Sequence, residues 1–387
     1  MGISLGNCRQ LSHIAMLVFP CSLSGYTRAK DRSCRLISKV YWKGEPVVNL
    51  WGGYKDRGHS DPWQKDTLVN VYSATKGIAT LTFALLVDDG EVRYEDLVAE
   101  YWPEFAKHGK ESVTIAQLLS HQAGVCGVDE PLKVEDLYDW QKMIQLLEAQ
   151  EPFWPPGTAA GYHAVTWGYL PGELVYRITG KTLGAVFQDR IARPLNLNFY
   201  LGLPDNKFDQ CATLIGPNHA RVQTKANPTG TERPSRYFAA ALQNPAISPF
   251  KHACSPEWRR AELAASNGHG DAESLARCYA LMAAGGELGG QRLISEAALR
   301  QACLPEVEDQ VDLVTGGVVR RSRGFILSHE GNYGPGKNSF GHAGAGGSMA
   351  FADPDENLSF AYVMNQMQPD STASRASRLI DAVYRSI

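Results

Sequence analysis

Residues 72–87, YSATKGIATLTFALLV, carry apolar side chains around the whole circumference of a helix. Ile78, Leu81 and Leu85 fall on one side, Phe83 and Leu86 on another, and Gly90 follows as a stop signal. A helix that is apolar all round belongs inside a protein, so this segment is expected to be a buried central helix. Ser73 and Lys76 stand at its start, one turn apart, with hydroxyl and amine pointing the same way. A serine hydroxyl needs a base within hydrogen-bond reach, and a lysine drawn out of water has a lowered pKa and can serve as one. The helix N-terminus adds partial positive charge where an oxyanion would develop. Taken alone, Ser-x-x-Lys also fits a capping serine followed by a solvated lysine. The apolar helix behind it favours the reactive pair.

Upstream, Leu36 to Trp42 and Val47 to Leu50 read as two short strands around a turn at Gly44-Glu45-Pro46. Downstream, helical patterns cover Ile115 to His121, Val134 to Gln150, Trp167 to Thr179, Leu183 to Ala192 and Asp271 to Ala284. Pro171 should kink the third of these or mark its true start. Near the C-terminus, Gly324 to Ser328, Ser348 to Ala352 and Leu358 to Met364 read as strands, with a turn at residues 353–357, and Ala373 to Arg385 as a last helix. Strands at both ends of a chain can pair into one sheet. The expected fold is α+β: an antiparallel sheet flanked by terminal helices, with a large helical lobe inserted. Residues 1 to 37 show no periodicity and are read as a segment of uncertain structure. The rest, 38–387, is expected to be one domain, with a sheet lobe at about 38–72 and 290–387 and a helical lobe at about 73–289.

Of the 387 residues, 44% are hydrophobic and 20% charged, an ordinary globular balance. With 38 Lys and Arg against 41 Asp and Glu, the net charge of −3 gives no electrostatic footprint for nucleic acid. The eight cysteines, Cys8, Cys21, Cys34, Cys126, Cys211, Cys254, Cys278 and Cys303, include no C-x-x-C pair, so free thiols and a cytoplasmic location are expected. The one signal-like feature is the short apolar run Ile14 to Phe19 after Arg9, which meets Pro20 at once. No run approaches the roughly 20 apolar residues of a membrane span. The histidines are dispersed, with no H-E-x-x-H, and neither a metal nor a cofactor is expected.

Three further features stand out. Leu118 to Val125 reads LLSHQAGV, a helix end with a glycine stop, in which His121 suits packing better than catalysis. Gly161-Tyr162-His163 places a tyrosine in a loop, where it can relay a proton or simply pack. Residues 341–347, GHAGAGG, precede a strand, and their glycines permit either close approach to a ligand or a plain flexible turn.

Together with Ser73-Ala74-Thr75-Lys76, these features resemble the serine β-lactamase and penicillin-binding protein superfamily, in particular the class C β-lactamase-like branch that includes the class VIII esterases. LLSHQAGV resembles the L-L-T-H-T-S-G-L signature of that branch, Gly161-Tyr162 its tyrosine element, and His342-Ala343-Gly344 its K-T-G or H-x-G element. The likeness spans about residues 38 to 387.

The resemblance implies Ser73 as acylated nucleophile, Lys76 as base and Tyr162 as proton relay to the leaving group. It implies an oxyanion hole of the Ser73 and Ala345 backbone N–H groups, and a substrate border at His342, Ala343 and Gly344. Two departures bear on substrate: Ala164 stands where β-lactamases of this class have Asn, and His342-Ala343 replaces Lys-Thr. The groups that grip a β-lactam are thinned out, which points to a small-molecule carboxylic ester, hydrolysed or transferred through an acyl-enzyme. The alternatives are β-lactamase or D-amino-acid peptidase activity, or a scaffold that keeps the fold without catalysis. An α/β-hydrolase is excluded by the lack of a G-x-S-x-G elbow.

Overall fold

The computed structural model describes residues 2–5, 36–216, 235–368 and 374–387. The central helix α1 spans Thr75–Asp88 and is buried from Thr75 to Leu86, as its apolar circumference requires. It is entered through a 3-10 turn, Tyr72–Ala74. Nine strands make one antiparallel sheet: β1 Gly2–Leu5, β2 Leu36–Trp42, β3 Glu45–Gly52, β4 Pro305–Val311, β5 Val318–Ser322, β6 Ile326–Leu327, β7 Phe340–Ala343, β8 Met349–Asp353 and β9 Leu358–Met364. Across the sheet they run β1-β3-β2-β9-β8-β7-β6-β5-β4.

The early and late parts of the chain meet at the middle of this sheet, where β2 pairs with β9 from Leu36↔Met364 to Trp42↔Leu358. Every residue of β9 is buried, so its sequence LSFAYVM is nearly continuously apolar instead of alternating. Two helices account for that: α2, Ala272–Ala283, and α3, Ser374–Tyr384. Ser359 Oγ donates to Ala276 O of α2 at 2.8 Å, and Tyr384 Oη of α3 donates to Asp353 Oδ2 at 2.6 Å. Ser359 pairs with Ala352, one residue out of step with Asp353, so the two helices cover opposite faces.

The expected α+β architecture is the observed one, with local differences. The β2–β3 turn is Lys43-Gly44, both at positive φ, as a two-residue hairpin demands, and Glu45 and Pro46 already belong to β3. Residues 2–5, in the segment left unassigned by the sequence, pair with β3 at one edge of the sheet. Between residues 305 and 343 the structure adds strands that periodicity does not signal. One is β4, whose PEVEDQV sequence is largely exposed, as suits a charged sheet edge. Another is β7, so that Gly341, His342 and Ala343 lie within a strand and not in a flexible stretch ahead of one. Pairing with β6 and β8 on both sides holds them there.

In the helical region, Val134 to Gln150 is broken at Asp139, which caps Trp140–Ala149 by accepting the Lys142 N–H at 3.1 Å. Pro171 sits in the first turn of Tyr169–Thr179 and marks that helix's start. Leu183 to Ala192 divides into an α-helix, Leu183–Phe187, and a π turn, Gln188–Ala192. Inside the same region lies a small sheet, Val69–Asn70 with His269–Gly270 and Phe199–Tyr200, which anchors the chain entering Ser73. Among the described residues no helix is long and apolar enough to cross a membrane. Cys126, Cys211, Cys254, Cys278 and Cys303 are free thiols. Cys8, Cys21, Cys34 and the run Ile14 to Phe19 lie outside the described residues.

Candidate active site

Ser73 occupies the 3-10 turn, one residue after Tyr72, whose φ of 47° is left-handed. A bulky residue there stores about 1–3 kcal/mol of strain. Two contacts hold the turn: the Val71 N–H donates to Gly268 O at 2.9 Å, and the Thr75 hydroxyl, bonded to Tyr72 O, accepts the Gly268 N–H at 2.9 Å.

Ser73, Lys76 and Tyr162 converge. Tyr162 Oη donates to Ser73 Oγ at 2.7 Å, and Lys76 Nζ lies 3.1 Å from Tyr162 Oη and 3.4 Å from Ser73 Oγ. Lys76 is wholly buried, and among the described residues no carboxylate pairs with it. Its Nζ instead donates to the backbone carbonyls of Ala164 at 2.9 Å and Ala265 at 3.0 Å. Burial, and then the positive charge of Arg321, hold the amine well below the usual lysine range. Burial pushes the Tyr162 phenol up to about 12. The amine is thus poised to be neutral and the phenol to keep its proton. With two N–H bonds spent on carbonyls, a neutral Lys76 has its lone pair left for the Ser73 and Tyr162 hydroxyls.

The loop bearing Tyr162 is clamped at three successive residues. The Gly161 N–H donates to His121 O at 3.1 Å, the His163 N–H to His121 Nδ1 at 3.0 Å, and the Tyr162 N–H to Asp312 Oδ1 at 3.2 Å. His121 therefore packs and orients, its ring 5.2 Å from that of Tyr162. Burial holds it well below the usual histidine range.

On the other side stands the end of β7. His342 is buried, with its ring 6.3 Å from that of Tyr162 and Nδ1 2.7 Å from Ala343 O. Burial pushes it down to about 3, so it is a neutral imidazole. Gly344 packs on the serine turn so closely that a Cβ would stand 2.1 Å from Val71 O and 3.2 Å from Ala74 N. Ser348 Oγ ties the two segments by donating to Val71 O at 2.7 Å. Ala345, which is exposed, follows Gly344 in the chain, and among the described residues neither its N–H nor that of Ser73 is given to a protein acceptor. Ser73, Lys76, Tyr162, His342 and Gly344 are thus brought together, and Ala343 and Ala345 adjoin Gly344 in the chain.

The sequence did not signal Asp312, Arg321, or the carbonyls of Ala164 and Ala265. The two carbonyls have no residue-type signature. Arg321 sits in the run Arg320-Arg321-Ser322-Arg323, which by composition reads as a solvated edge.

Residues 39–385 match the β-lactamase family model. A family VIII carboxylesterase crystal structure superposes with a TM-score of 0.90 at 38% identity, covering 100% of both chains. A penicillin-binding protein homolog from Caulobacter crescentus superposes with a TM-score of 0.89 at 35% identity, again over 100% of both. The esterase/β-lactamase LipL of Mycobacterium tuberculosis is 34% identical over 343 residues, which is 85% of this chain and 76% of that protein. With its fold and its family match in agreement, the chain belongs to the β-lactamase family.

Proposed function

We propose that the chain is a serine hydrolase of small carboxylic esters that works through an acyl-enzyme on Ser73. The observation that carries this reading is the buried Lys76 amine, held by two carbonyls and within reach of both Ser73 Oγ and Tyr162 Oη. Ser73 Oγ attacks the ester carbonyl carbon while its proton passes to Lys76, directly or through Tyr162. The oxyanion faces the N–H groups of Ser73 and Ala345, and such a donor is worth about 3–4 kcal/mol of barrier. Collapse breaks the bond to the alcohol, which leaves with the Tyr162 proton, and Lys76 reprotonates the phenol. Water then repeats the sequence on the acyl-enzyme and releases the acid.

Ester is favoured over β-lactam by what surrounds this triangle. Ala164 offers only a backbone carbonyl, and that is taken by Lys76. His342 is uncharged near neutrality and presents no fixed cation to a carboxylate. The relatives described as esterases support the same choice. A cytoplasmic location is part of the reading, supported by the five described free thiols. Specificity constants for p-nitrophenyl butyrate and a chromogenic cephalosporin, measured on one preparation, test it. The ester should be turned over far better, and a larger value for the cephalosporin would return the chain to β-lactam hydrolysis.

A further inference from the structure

A charged pair lies behind Tyr162 that the reaction scheme does not use. Asp312 follows β4 and Arg321 lies near the end of β5, with side chains 0% and 4% exposed. Asp312 Oδ1 accepts the N–H groups of Tyr162 at 3.2 Å, Val314 at 2.9 Å and Thr315 at 2.7 Å. Its Oδ2 accepts Arg321 Nη2 at 2.6 Å. The guanidinium carbon stands 5.7 Å from the Tyr162 ring centre, and Arg321 Nε and Nη1 have no protein partner among the described residues. Burying an ion pair costs desolvation that its attraction often fails to return, so such a pair is poor evidence of a stabilising role. Two donors left unpaired make the stability case weaker still.

We infer that Asp312 and Arg321 are positioning residues of the reaction. Asp312 fixes the backbone from which Tyr162 reaches Ser73, and Arg321 sets its cation 5.7 Å from the centre of the Tyr162 ring, which itself lies 4.8 Å from Lys76 Nζ. This rests on the reading of Lys76 as base and Tyr162 as relay.

The groups around Lys76 come from every neighbouring element. Arg321 is on β5, His342 on β7, His121 just beyond the helix Ile115–Leu119, and Tyr162 and His163 on the clamped loop. Burial takes His342 to about 3, His163 to about 4 and His121 well down, so near neutral pH all three are uncharged. Tyr162, at about 12, is a neutral phenol. Arg321 is then the one cation among these groups other than Lys76 itself, adding to the burial that disfavours charge on Lys76, with the Asp312 carboxylate bonded to it. Where the resemblance to K-T-G would put a lysine charge, position 342 is neutral, and the charge comes instead from a strand two places along the sheet.

The test is the pH dependence of kcat/KM for p-nitrophenyl butyrate in the full chain. Removing a nearby cation raises the Lys76 pKa, so the acid limb of Arg321→Met should move to higher pH. Arg321→Lys retains the charge and should keep the limb where it is in wild type. Asp312→Asn/Arg321→Met leaves no unpaired buried carboxylate, and its limb should also move up. A limb unmoved in both neutral variants, or moved equally in Arg321→Lys, would show that the pair only packs. Lys76→Ala and Tyr162→Phe separate the two levels. If these are inactive while the limb stays put, only this inference fails. If they retain wild-type turnover, the underlying reading fails and takes the inference with it.

Discussion

In the proposed mechanism Lys76 is the base, and its burial has a consequence outside catalysis. In the unfolded chain a lysine titrates near 10.4. In the folded protein it titrates well below that, because burial and Arg321 disfavour the charge. Between these two values the unfolded chain binds more protons than the native one, so stability rises with pH. Each pH unit in that window is worth about 1.4 kcal/mol. Unfolding free energies of wild type and Lys76→Met should therefore diverge as pH rises from about 7 to 9, with the wild type gaining. Parallel curves would mean that Lys76 is charged in the folded state. At this scale Ser73 and Lys76 stood out because one helical turn pairs a hydroxyl with an amine, whereas Tyr162 stood out only through its resemblance to the family's tyrosine element. Asp312 and Arg321 did not stand out. Only the pleat of β5 turns Arg321 inward while Arg320, beside it, reaches Glu308 at the surface.

Among the elements, the end of β7 meets the 3-10 turn at Gly344, which packs against Val71 O and Ala74 N, and on the proposed mechanism this approach aligns the Ala345 and Ser73 N–H groups. A Cβ at Gly344 would meet backbone at 2.1 Å, which no rotamer change relieves. Gly344→Ala must therefore part the strand end from the turn. A displacement of about 1 Å at a reacting centre costs on the order of 100-fold in rate, and overpacking costs about 1–3 kcal/mol. The expected result is a fall in kcat of about that factor with a modest loss of Tm. Wild-type turnover in Gly344→Ala would show that Ala345 takes no part. The helices and the central strands were readable because burial on all sides leaves long apolar runs, as in α1 and β9. Of the strands between 305 and 343 only β6 was readable, within Gly324 to Ser328, since a polar edge such as β4 and a strand interrupted by glycine, as β7 is at Gly341, lose the alternation on which sequence reading depends.

Across the whole molecule, the site forms where the sheet meets the helical region: β7 and β5 supply His342 and Arg321, α1 supplies Lys76, and the clamped loop supplies Tyr162. No single element holds the chemistry, which is why four short motifs far apart in sequence had to be read together. Of the other nucleophiles, burial raises the thiols of Cys126, Cys278 and Cys303, which favours the unreactive protonated form. Ser73 alone among the serines singled out has a buried amine one helical turn away. The intact mass of the protein after treatment with a fluorophosphonate probe tests this most directly. A single adduct on wild type, mapped to Ser73 and lost in an inactive Ser73→Ala variant, is the predicted result. An adduct elsewhere, with Ser73→Ala still turning over ester, would contradict it.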